Sequence, residues 1–186
     1  RNATVSAEGQ ISIAGNYSMA GGLVLSQGGP LLIDTGGRLT ITSAGSVLSS
    51  PDPLGVYVLG TLASLAPTTI NPTTNLTLTP GAQTIISVRN PTPSTISVAG
   101  TALIDGALEL RFPSRHYKRG TTYTLVEAAG GLTGTFSSVV FNPVSFESRS
   151  TITYTPNEVD LFIFAPPLIS LVPCSCNQAC VVAEFN

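Results

Sequence analysis

The chain has 186 residues, about one domain's length, with a net charge of −2 and only 10 % charged residues, against roughly 25 % in an ordinary soluble protein. It holds 20 Ser, 23 Thr, 18 Gly and 14 Pro, but one Lys, one His and no Trp. So little charge excludes an electrostatic footprint for nucleic acid. A hydrophobic content of 42 % excludes a disordered tail, and the scarcity of Lys and Glu excludes a helical bundle.

Short apolar strands alternate with Gly-centred turns from Glu8 onward. In chain order they are Ile11–Ile13, Leu23–Leu25, Leu31–Ile33, Leu39–Ile41, Val56–Val58, Leu76–Leu78, Ile85–Val88, Ile96–Val98 and Leu108–Leu110. Gly21-Gly22, Gly28-Gly29-Pro30, Gly36-Gly37, Gly45, Pro51-Asp52-Pro53, Gly81 and Gly100 separate them. Strands this short and this closely spaced suit the coils of a β-solenoid, in which inward aliphatic residues stack from coil to coil. Glycines turn the corners, and Ser and Thr are expected to coat the outward faces. The expected fold is all-β: a right-handed parallel β-helix with a β-rich C-terminal cap. A β-sandwich is the alternative.

Beyond residue 100 the texture changes. Phe112, Tyr117, Tyr123, Phe136, Phe141, Phe146, Tyr154, Phe162 and Phe164 all fall before residue 165. Longer strands are expected at Tyr123–Val126, Thr151–Tyr154 and Val159–Ile163, the last two forming a hairpin around Pro156-Asn157. An open solenoid end presents unpaired strand edges, so an aromatic-rich hairpin segment reads as a cap. The expected organisation is coils over 1–100, a capping region over 101–165 and a Pro- and Cys-containing tail over 166–186.

The series Val98-Ala-Gly-Thr-Ala-Leu-Ile-Asp-Gly-Ala-Leu-Glu-Leu110, Gly120-Thr-Thr-Tyr-Thr-Leu-Val126, Gly130-Gly-Leu-Thr-Gly-Thr-Phe136 and Ile152-Thr-Tyr-Thr-Pro-Asn-Glu-Val-Asp-Leu161 resembles the C-terminal end of autotransporter passenger domains. The resemblance covers about residues 95–165. It implies a right-handed parallel β-helix closed by a capping, autochaperone-like segment. Two features depart from that family's pattern: only residues 166–186 follow the matched stretch here, and they carry a cysteine cluster.

That cluster, Cys174, Cys176 and Cys180, holds all three cysteines. An odd number in one short segment suggests a terminal disulfide clasp or an intermolecular cross-link, one thiol being left for another chain, another segment or a free state; three unpaired thiols are the alternative. Asn2, Asn16 and Asn75 head Asn-x-Ser/Thr sequons, whereas proline blocks those at Asn71 and Asn90. No run of 18 apolar residues occurs, so no transmembrane helix is expected. Arg1-Asn2-Ala3-Thr4 lacks the apolar core of a signal peptide, so a secreted product is expected to be a mature or trimmed chain.

Candidate chemistry is sparse. Asp34 and Asp52, with Asp105, are the carboxylates a polysaccharide-cleaving β-helix would need to gather; beside Gly36 and Pro53 they read as turn caps. Arg111, Arg115, His116, Lys118 and Arg119 form a basic stretch that suits an anionic glycan, a membrane surface or, more simply, a solvated loop between cap strands. Leu39–Thr42 and Leu76–Thr79 carry the Thr alternation of a flat ice-binding face, but two instances make no array. Tyr17 and Tyr57 are a thin aromatic platform for sugar. No catalytic, metal or cofactor site emerges, and no enzyme activity is expected. The expected role is an extracellular or cell-surface structural or adhesive module, part of a fibre, coat or appendage. It would associate with itself or with other surface proteins, by solenoid stacking and disulfides. A carbohydrate-binding or carbohydrate-active β-helix is the alternative.

Overall fold

The computed structural model describes residues 3–70, 74–89, 93–114, 117–164, 168–173 and 179–184. The chain winds through six coils of three strands. They are β1 (Ala3–Ala7), β2 (Ile11–Ile13) and β3 (Asn16–Met19); β4 (Gly22–Ser26), β5 (Leu31–Ile33) and β6 (Arg38–Ile41); and β7 (Ser46–Ser49), β8 (Val56–Val58) and β9 (Thr61–Ser64). Next come β10 (Thr68–Ile70), β11 (Leu76–Leu78) and β12 (Gln83–Ser87); β13 (Ile96–Val98), β14 (Ala102–Ile104) and β15 (Ala107–Arg111); and β16 (Thr121–Ala128), β17 (Leu132–Gly134) and β18 (Ser138–Asn142). A 3-10 helix, Val144–Arg149, leads to β19 (Ser150–Tyr154) and β20 (Glu158–Ile163). Strands β21 (Leu168–Pro173) and β22 (Ala179–Glu184) form a separate antiparallel pair.

Each strand pairs in parallel with its counterpart one coil on, which makes three sheets. Sheet A is β1-β4-β7-β10-β13-β16, sheet B is β2 to β17, and sheet C is β3 to β18. This is a parallel β-helix, not a sandwich, and the core shows why. In sheet B, Ile11, Leu31, Val56, Leu76, Ala102 and Leu132 occupy one register column. In sheet C the matching column is Tyr17, Leu39, Leu62, Thr84, Leu108 and Val139. These columns meet in a single hydrophobic cluster running the length of the coils. Each short strand contributes two inward side chains at most, so only stacking on the next coil removes them from water.

The hydroxyl side chains do not simply coat the outside as expected. Ser26, Ser46, Ser50, Ser64, Thr68 and Thr74 are fully or almost fully buried. At the corners the backbone leaves the sheet ladder, and its carbonyls need donors there. Ser26 Oγ donates to Gly9 O at 2.7 Å, Ser50 Oγ to Gly29 O at 2.8 Å, and Thr74 Oγ1 to Ser50 O at 2.8 Å. At other corners Thr42 Oγ1 donates to Met19 O, Thr79 Oγ1 to Val58 O, and Ser137 Oγ to Gly106 O. Each of these hydroxyls bonds back to the preceding coil. Glycine appears where coils touch most closely: Gly55 adopts φ 62°, and a Cβ there would collide with the backbone of Asn75.

The parallel coils continue past residue 100. Strands β14, β15, β17 and β18 extend sheets B and C without interruption to Asn142. The aromatic-rich region therefore holds the last coils as well as the cap. In the cap, β20 pairs antiparallel with β16, and β19 with β20. Tyr154 faces Val159 across the expected hairpin.

Candidate assembly surface

The two ends of the helix differ. At the C-terminal end, larger side chains replace the aliphatic columns. Phe112 stacks on Phe146 with ring centroids 4.0 Å apart, and Phe141 lies 6.3 Å from Phe112. Tyr117 sets its ring edge-on against Phe112, Phe146 and Tyr123. Its hydroxyl donates to Val88 O at 2.8 Å and accepts from Ser114 N at 3.2 Å. Burial pushes the Tyr117 phenol above its usual pKa, and the Ser114 hydrogen bond opposes this. Tyr154 is raised in the same way by burial, while its oxygen accepts from Phe136 N. Together with β20 and β19, these rings close the core.

The N-terminal end has no such closure among the described residues. β1, β2 and β3 are the terminal strands of their sheets, each paired on one side. Val5, Ile11, Ile13, Tyr17 and Met19 stand in the columns of Val24, Leu31, Ile33, Leu39 and Ile41, the inward columns of the next coil. Val5 and Tyr17 are each 38 % exposed, whereas Leu31 and Leu39 one coil inward are at 0 %. Val5, Ile11, Ser12, Ile13, Tyr17 and Val24 line a cavity of about 180 Å³. Three free parallel edges around an apolar mouth are what a further coil requires: main-chain partners at the rim and aliphatic contacts at the centre.

The carboxylates considered for catalysis sit apart. Asp34, after β5, accepts from Ser12 Oγ at 2.5 Å, and its carbonyl accepts from Gly37 N. Asp52, before β8, accepts from Leu54 N, and Asp105, after β14, accepts from Gly106 N. Asp34 and Asp52 therefore lie at opposite corners of sheet B. Asp34 and Asp105 share a corner, but three coils separate them by about 14 Å. All three brace turns.

Of the basic stretch, Lys118 and Arg119 are exposed, and Arg111 bonds Glu109 at 2.7 Å; Arg115 and His116 lie outside the described residues. Tyr57 is half-buried on the outer face of sheet B. Tyr17, read as a sugar platform, is a core-column residue of the open coil. Asn16 is exposed at the start of β3. Asn75 is half-buried and ties three coils together: Nδ2 donates to Pro53 O at 2.9 Å, while Oδ1 accepts from Thr101 N and Thr101 Oγ1. Asn2, Cys174 and Cys176 lie outside the described residues. Cys180 is a backbone partner of Val172 in β22.

One groove was not foreseen. Ser97, Glu127, Asn157 and Glu158 help line a cavity of about 420 Å³ beside sheet A. Glu127 and Glu158 are direct cross-strand partners, and Ser97 Oγ donates to Glu127 Oε1 at 2.5 Å. The pairing joins residues 31 positions apart, which local periodicity does not reveal. Among the described residues no group of three His, Cys, Asp or Glu is placed to hold a metal ion, and no helix is long and apolar enough to cross a membrane.

No family model matches the chain, and no curated protein matches it.

Proposed function

We propose that this chain is the capped terminal section of an extracellular structural or adhesive β-solenoid, which accepts a further parallel coil at its open end. The asymmetry of the two ends carries this reading. Aromatic side chains and an antiparallel hairpin close one end, while β1, β2 and β3 leave an apolar mouth with unpaired edges at the other. Coil stacking is thereby confined to the open end, so two copies can join mouth to mouth but cannot build a longer stack. The resemblance of residues 98–161 to the ends of autotransporter passengers leads to the same place. The hydroxyl-rich, charge-poor surface, the exposed Asn16 sequon and the cysteine-bearing tail favour a location outside the cell.

Sedimentation velocity over a concentration series tests this reading. The expected result is reversible association that persists in reductant and disappears in a Val5→Lys, Tyr17→Glu variant. Val144→Lys at the capped end should leave it unchanged. A chain that stays monomeric at every concentration, or associates regardless of the open-coil substitutions, would sink the stacking role.

Glycan binding has one specific foothold, the groove holding Glu127 and Glu158. A glycan array probed with the chain and with Glu127→Gln separates that reading: sugar binding lost in the variant would favour it over assembly.

A further inference from the structure

We propose that two copies of this chain join at the open end as a symmetric dimer whose twofold axis passes through β2, with β2 pairing antiparallel to β2, and β1 to β3, of the second copy. The inference rests on reading the open end as the site of association; it adds which strands meet and in what register. Turning one copy end over end reverses the sense in which its coils circulate. Every strand of the second copy therefore arrives antiparallel, in the place a further parallel coil would take. The step of the helix then selects the axis. The chain climbs one strand spacing, about 4.8 Å, between β1 and β4, its neighbour in sheet A. β1 thus protrudes most at the mouth, β3 is recessed, and β2 stands between them. An axis through β2 sets the protruding strand of each copy against the recessed strand of the other, and all three gaps close together. An axis through β1 would bring β1 onto β1 but leave β2 and β3 apart by about twice the strand spacing, and an axis through β3 would part the two β3 strands by as much.

The three strands fit that arrangement. β2 reads Ile11-Ser12-Ile13, the same in both directions, so Ser12 on the axis puts Ile11 opposite Ile13 of the second copy. Counting away from Ser12 in the two directions sets Ser6 of β1 opposite Ser18 of β3, and Val5 opposite Met19. Val5, Ile11, Ile13 and Met19 stand in inward columns, whereas Ser6, Ser12 and Ser18 alternate with them and are exposed. Inward residues thus meet inward residues, and serines meet serines, around the whole rim; a one-residue slip would break this on every strand. The two apolar mouths, each about 180 Å³, merge into one enclosed core. Nothing on the edges opposes the pairing. Exposed strand edges are ordinarily guarded by Lys, by other charges or by Pro, and β1, β2 and β3 contain none of these. Glu8, in the turn between β1 and β2, is the one charged residue from residue 3 to residue 26.

Disulfide cross-linking of the full-length chain tests the proposal, with Cys174, Cys176 and Cys180 replaced by Ser and copper phenanthroline as the oxidant. Ser12→Cys should form a disulfide-linked dimer at least tenfold faster than Leu103→Cys, which is exposed on β14, away from the mouth. A mixture of Ser6→Cys and Ser18→Cys chains should give the mixed dimer at least tenfold faster than either chain cross-links to itself. Sedimentation velocity on the same chain without the added cysteines separates the two possible failures. If that chain associates but Ser12→Cys links no faster than Leu103→Cys, or Val5→Cys links to itself faster than Ser12→Cys, the twofold pairing is overturned and the open end stands as the site of association. If that chain does not associate at any concentration, the reading of the open end falls and the dimer with it. Should Ser12→Cys fail to fold, the Ser6→Cys and Ser18→Cys mixture decides by the same criterion.

Discussion

The ring of Phe146 lies parallel to that of Phe112, with planes 1° apart and centroids separated by 4.0 Å. Phe112 follows the last strand of the fifth coil, and Phe146 belongs to the 3-10 helix after the sixth. Their contact carries the core across the end of the coils into the cap. Phe112 is 7 % exposed and touches Phe141 and Tyr117 as well. Removing its ring leaves a hole that three other rings must collapse to fill. Phe112→Ala is expected to cost about 3–5 kcal/mol, and Phe146→Ala less, because Phe146 is only half-buried. Urea denaturation midpoints of the two variants check the order. Equal, small losses would mean that the stack does not close the core.

Thr84 breaks a run of leucines. It stands between Leu62 and Leu108 in an inward column of sheet C, fully buried, and its Oγ1 has no hydrogen-bond partner. An unpaired hydroxyl in an apolar column carries its full desolvation cost, about 1–3 kcal/mol. Valine keeps the shape and removes the oxygen. Thr84→Val should therefore stabilise the protein by about 1 kcal/mol, visible as a higher melting temperature. A drop on substitution would show that the hydroxyl has a partner such as buried water.

This column also shows what the sequence could and could not disclose. Ile11–Ile13, Leu31–Ile33, Val56–Val58, Leu76–Leu78 and Ile96–Val98 were expected as strands and are strands at those same residues, because both inward positions of each are aliphatic. β7 and β9 escape periodicity because Ser49 and Ser64 sit buried in them in place of an apolar residue, Ser64 bonding Ala66 O within the corner. β3 escapes because Asn16 and Ser18 flank Tyr17, which stands in an inward column but is exposed by its place in the end coil. The open mouth was legible only as a solenoid end of unknown location. That Val5 and Tyr17 face each other's sheets across it depends on coil closure, which no local window contains. The Glu127–Glu158 pair was hidden for the same reason.

Asn75 makes a prediction about coil spacing. Its amide bonds forward to Thr101 and back to Pro53, so one side chain clamps the corners of three successive coils. Asn75→Ala leaves Thr101 N and Pro53 O to solvent and is expected to cost about 1 kcal/mol. Asn75→Asp keeps the acceptor for Thr101 and loses the donor to Pro53 O, so it should fall between Ala and the parent chain. Chemical denaturation ranks the three. In a glycosylating host, carbohydrate is expected on the exposed Asn16 rather than on Asn75, whose Nδ2 is already engaged; peptide mapping reads the occupancy directly.

The pH dependence rests on Glu109. The hydrogen bond from Arg111 at 2.7 Å holds its carboxyl below the usual carboxylate range, with partial desolvation acting in the opposite sense and Asn142 and Arg38 assisting Arg111. A carboxylate whose folded pKa is depressed stabilises the fold above its unfolded pKa, and that contribution disappears as pH falls through the folded value. The Arg111 side chain is 41 % exposed, so solvent screens the pair and its contribution is about 0.5 kcal/mol or less. Glu109→Gln removes the titrating group while keeping an acceptor for Arg111. The difference in stability between parent and variant should be largest near neutral pH and shrink as the pH approaches 3. Denaturation midpoints of both proteins across that range measure it, and a difference that grows on acidification would reverse the assigned sign.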